Sequence, residues 1–190
     1  MAIGAGMLSV ALSCGAQVVA SHTPTLASPA AAISGAAMNG SVLQTIGKRG
    51  NGDLEFNLPT EVLVRDQNLF VVDAMNFRVQ FLSRAGEFET AVGRVGDSSG
   101  AMYRPKGIGV DSEGHLYVVD GLWGVVQVFD QQGSLLYYFG TRGTGVGEFQ
   151  LPAGLFIDHD DRIFVVDSYN RRIQVFRYFG LPKRAQGGPQ

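Results

Sequence analysis

Short apolar runs, each bounded by Gly, Asp, Ser or Gln, punctuate the chain from residue 41 onward. One of them occurs three times, as Leu69-Phe70-Val71-Val72-Asp73, Leu116-Tyr117-Val118-Val119-Asp120 and Ile163-Phe164-Val165-Val166-Asp167, with the aspartates 47 residues apart. A fixed period of this size marks a repeat architecture. Other positions keep the register: Pro59 returns as Pro105 and Pro152, and Gly86 as Gly133 and Gly180. Within one period the runs fall at Gly107–Asp111, Leu116–Asp120, Val125–Asp130 and Leu135–Gly140. Their length and bounding residues predict four antiparallel strands joined by turns. A run such as Leu-Tyr-Val-Val is apolar on both faces, so each small sheet needs a neighbour on both sides. Four-stranded sheets stacked radially form the blades of an all-β propeller.

The first 40 residues follow a different pattern. No Lys, Arg, Asp or Glu precedes Lys48. Residues 1–20 are apolar and end in Val18-Val19-Ala20, the small-residue character of a signal-peptidase site, although no basic n-region precedes them. They are expected to be an export signal or an apolar N-terminal segment, without a stable membrane span because Gly, Ser and Gln interrupt them. The Ala, Ser and Pro content of residues 21–40 predicts a linker, followed by three blades over 41–180 and a flexible tail over 181–190.

Composition narrows the chemistry. A net charge of −2 argues against a nucleic-acid binder driven by overall charge. Cys14 stands alone, so neither an internal disulfide nor a cysteine-based zinc site can form.

The stretch Gly145-x-Gly147-Glu148-Phe149-x-x-Pro152-x-Gly154, with Asp158 and then Ile163-Phe164-Val165-Val166-Asp167-x-x-Asn170-x-Arg172-Ile173-Gln174-x-Phe176, resembles the NHL repeat. The resemblance recurs three times in register. It implies four-stranded blades of six-bladed propellers that mostly bind proteins or RNA, with a minority of enzymes. The second copy departs from the pattern, with Trp123 and Val125 where the others have Asn76 with Arg78 and Asn170 with Arg172.

The repeated aspartates read as turn residues that accept backbone N–H groups from the turn that follows, with Asn three positions on suited to a left-handed backbone. Asp158-His159-Asp160-Asp161 has closely spaced oxygens of the kind that bind Ca²⁺, but it lacks the glycine and distant Glu of a calcium loop and reads as a solvated hairpin. His22, His115 and His159 occupy non-equivalent positions, so they do not match the metal-binding histidines that the resemblance implies for propeller lyases. No nucleophile motif or phosphate-binding glycine loop is present. The expectation is a non-enzymatic, extracytoplasmic binding and assembly module with no cofactor or metal. RNA binding and a propeller lyase are the alternatives. With the four strands of a blade lettered a to d in chain order, the d–a and b–c loops carry Lys48, Arg49, Arg78, Arg94, Arg104, Lys106, Arg142, Arg171 and Arg172 on one face, interspersed with acids. That face suits a protein partner better than RNA.

Two further expectations concern partners. Three blades do not close a ring, so strand Ser41–Gly47 of one chain is expected to complete the last blade of another, giving six blades from two chains or, where the contact does not close, an open filament. The second is a docking face built from Leu122 and Trp123 with Met75, Phe77 and Tyr169, rimmed by Arg78, Arg171 and Arg172.

Overall fold

The computed structural model describes residues 41–177. The export segment, the linker and the tail expected over 181–190 lie outside them. Unit boundaries fall at Leu43/Gln44, and the fold below is that of the second unit.

Three blades follow one another. The first is β3 (Pro59–Arg65), β4 (Asn68–Asp73), β5 (Arg78–Ser83) and β6 (Phe88–Val92), antiparallel and in sequence order. The second repeats this with β7 (Pro105–Val110), β8 (Leu116–Asp120), β9 (Val125–Phe129) and β10 (Leu135–Phe139). The third has β13 (Gly154–Ile157), β14 (Arg162–Asp167) and β15 (Arg172–Arg177), with no fourth strand among the described residues. Two short parallel ladders were not foreseen: β1 (Lys48–Arg49) with β2 (Glu55–Phe56), and β11 (Thr141–Arg142) with β12 (Glu148–Phe149). Each closes the long connection that enters a blade.

Ser41–Gly47, expected to pair with another chain, forms no strand within this one. It is irregular, with Val42 66% and Leu43 95% exposed, although its apolar pattern matches β10. A strand exists only on a ladder, and no ladder partner is paired with this segment here.

Alternation of side chains gives each blade two apolar faces, which make the core where blades meet. Phe70, Val72, Val79 and Phe81 of the first blade meet Ile108, Val110, Leu116 and Val118 of the second. One period later, Tyr117, Val119, Val126 and Val128 meet Leu155, Ile157, Ile163 and Val165. The blades approach most closely along their inner strands. A Cβ on Gly107 would lie 2.6 Å from the backbone N of Leu155 and 2.7 Å from Cα of Gly154, so only glycine fits.

Candidate functional site

Blades one and three share a polar clamp. The fully buried Asp73 carboxylate accepts the Asn57 N–H at 2.6 Å, Asn76 Nδ2 at 2.8 Å and Arg78 Nε at 2.9 Å. Arg78 Nη2 continues to the carbonyls of Gly52 (2.7 Å) and Glu55 (2.9 Å), and Asn76 reaches Gly50 O at 2.8 Å. The third blade repeats each contact: Asp167 accepts from Gln150 N, Asn170 Nδ2 and Arg172 Nε at 2.8–2.9 Å, while Arg172 and Asn170 donate to the carbonyls of Gly145, Glu148 and Gly143. Burial pushes the Asp167 carboxyl up, but the Gln150 N–H, Asn170 and Arg172 outweigh it and hold the group below the ordinary carboxylate range. The clamp fastens the entering loop to its blade.

Several expectations change here. Arg78 and Arg172 are engaged by the clamp and are not free cations on the rim of a docking face. The left-handed residues of the two turns are Phe77 (φ 58°) and Arg171 (φ 56°), one position after each Asn, whose side chain is what the clamp uses. Asp73 and Asp167 accept their backbone N–H from the strand entry, at Asn57 and Gln150, and only side-chain donors from the following turn. Of the three, only Asp120 accepts backbone N–H groups from its own turn, through Leu122 N and Trp123 N at 3.0 Å each, in addition to Tyr103 N at 2.6 Å.

With Trp123 and Val125 in place of Asn and Arg, the second blade has no clamp. Its entering loop is held from within by Arg94 Nη2 donating to Ser98 Oγ (3.0 Å) and Ser99 O (2.9 Å), and from β9 by Gln127 Nε2 donating to Ala101 O (2.8 Å). Between this loop and the blade runs a groove of about 350 Å³, lined by Asp97, Ser98, Ser99 and Gly100 on the loop and by Trp123, Val125, Gln127, Leu135 and Tyr138 on the blade. Trp123 is thus half-buried in a groove of its own blade. Leu122 is half-buried beside it, Met75 and Tyr169 are exposed at their own turn tips, and Phe77 packs on the first core with its ring 6.4 Å from Tyr103. Asp97, Ser99 and Tyr138 were missed because they lie 26 to 15 residues away from Trp123 and no repeat position marks them.

Asp158, His159 and Asp160 offer ligand atoms within 4.8 Å of one another. The Asp158 carboxylate, however, caps its hairpin, accepting Asp160 N and Arg162 N at 3.0 Å and pairing with Arg162 at 2.7 Å. Asp161 is bound to Ser112. His115 pairs with Asp111 at 2.9 Å, and His159 is exposed, so these two histidines do not converge.

Residues 110–181 match the sequence profile of a family described as 6-bladed beta-propeller. A Bacteroides fragilis protein provisionally described as exported matches in structure with a TM-score of 0.51 and 15% identity, over 63% of this chain and 32% of that one. The chain has a β-propeller fold. An auxiliary nutrient binding protein from Bacteroides thetaiotaomicron matches at TM-score 0.50 and 18% identity, over 60% of this chain and 36% of its own. Virginiamycin B lyase from Staphylococcus aureus matches at 0.45 and 13%, over 64% and 42%. This chain therefore spans about a third to two fifths of the length of the propellers it matches. No curated protein matches the sequence. Among the described residues no helix is long and apolar enough to cross a membrane.

Proposed function

We propose that this chain is a non-enzymatic, extracytoplasmic binding and self-assembly module, a half-propeller that closes against a second copy of itself. One observation carries the reading: the same repeat positions are buried wherever two blades meet and exposed on the two outward faces. Ile108 and Val110 are 2% and 6% exposed against the first blade, and their counterparts Leu155 and Ile157 are 7% and 8% exposed against the second. In the first blade these positions are Val62 and Val64, 59% and 49% exposed. Conversely, Val79 and Val126 are fully buried, whereas Ile173 is 62% exposed, with Val175 and Phe156 beside it.

The two open faces are opposite halves of one interface that the chain already builds twice. Seating Val62 and Val64 of one copy on Ile173, Val175 and Phe156 of another repeats it, and two such contacts close a ring of six blades under twofold symmetry. Val42–Ile46 then finds the ladder it lacks, as a fourth strand beside β15.

Light scattering should give twice the 20.3 kDa chain mass, and Ile173→Asp combined with Val175→Asp should yield a monomer with unchanged β-sheet circular dichroism. A folded wild-type monomer would overturn self-assembly, as further blades of a longer chain covering the same faces would predict. A mass that climbs with concentration would replace the ring by a filament. The apolar, uncharged start motivates export. A mature N-terminus beyond residue 20 supports it, and intact Met1 on cytosolic material overturns it.

A further inference from the structure

The groove of the second blade has features that neither ring closure nor the repeat requires. We propose that it binds a neutral sugar ring. Trp123 and Tyr138 line it together with the apolar Val125 and Leu135. The loop opposite presents Asp97 and Ser99. Among the described residues, the Trp123 indole N–H, the Tyr138 hydroxyl, the Asp97 carboxylate and the Ser99 hydroxyl make no side-chain hydrogen bond, so aromatic faces and polar groups are both available to a ligand.

This combination matches a pyranose. One face of such a ring is a patch of C–H groups that packs on an aromatic plane, and its edge is a ring of hydroxyls that both donate and accept. Asp97 and Ser99 supply acceptors, and the tryptophan N–H, serine and tyrosine supply donors. Asp97 is the single charged lining residue, and the nearest cation, Arg94, has its Nη2 taken up by Ser98 Oγ and Ser99 O of the same loop. The Asp97 carboxylate disfavours phosphate and other anions, and the hydroxyls of a sugar edge can donate to it. A volume of about 350 Å³ lies at the lower end of the range for small-molecule sites, roughly 300–1,000 Å³. It has room for one or two rings rather than a folded partner. In the first and third blades Asn76, Arg78, Asn170 and Arg172 instead tie the entering loop to the blade by hydrogen bonds.

Trp123 is the only tryptophan of the chain, so intrinsic fluorescence of the full-length protein reads this groove and nothing else. Titration with cellotriose, maltotriose and N,N′,N″-triacetylchitotriose should give, for at least one probe, a saturable emission shift with half-saturation between about 10 μM and 1 mM. Tyr138→Ala should weaken it at least about tenfold, and Asp97→Asn should weaken it without altering the unliganded emission. The shift should persist in the Ile173→Asp, Val175→Asp variant, which separates this site from the assembly reading. No saturable shift with any probe, or one indifferent to Tyr138→Ala, overturns the proposal. Quenching instead by an extended decapeptide, competing along the free edge of β10, would assign the groove to peptides and also overturn it.

Discussion

The first and second blades differ in one turn and in the loop that enters the blade, and that difference separates a structural joint from a groove. In the first blade Asp73 sits at the centre of a charged network whose cation reaches two carbonyls more than twenty residues upstream. In the second, Asp120 occupies the same place, equally buried, but meets only backbone N–H groups. One aspartate thus holds a loop from a distance and the other only shapes its own turn and strand entry. The conserved-looking carboxylate hides two kinds of energetics.

Removing each carboxylate tests this directly. Asp73→Ala leaves Arg78, 15% exposed, without its partner, and breaking such a pair costs about 3–4 kcal/mol. Asp120→Ala frees several N–H groups but no cation, and about 2 kcal/mol is expected. Denaturant unfolding at one fixed protein concentration measures both, because stability and assembly are linked. Equal losses would erase the distinction between the blades.

A smaller effect should appear in acid. The Asp167 carboxyl is held below its ordinary value of about 4, so the folded chain keeps it ionised where the unfolded chain takes up a proton. Its contribution is complete above about pH 4 and is lost as the pH falls through the lowered folded value. Asp167→Asn should therefore show a shallower loss of stability than the parent between about pH 5 and 3. Parallel curves would remove Asp167 from the acid response.

Much of the frame was legible from spacing alone. The three copies ending in Asp73, Asp120 and Asp167 place β4, β8 and β14, because strand edges coincide with where an apolar run stops. The long-range parts were not legible. Arg78 and Arg172 look like solvent-facing turn residues, since nothing local reveals that their guanidinium groups reach carbonyls 23 to 27 residues back in the chain. Trp123 could be recognised as a departure, but its groove is made with Asp97 and Tyr138, whose nearness arises only once the entering loop folds back. Ser41–Gly47 shows the converse limit: a strand-like pattern does not become a strand without a neighbouring edge.

Gly107 shapes the gap between the second and third blades. At the inner edge Gly107 lets two backbones touch, while at the outer edge the same pair of blades is separated by the rings of Phe139, Phe149 and Phe176, whose centroids lie 5.1–6.5 Å apart. The space between these two blades is therefore a wedge, thin at the inner edge and thick toward the rim. A larger residue at 107, or smaller ones at the rim, should flatten it.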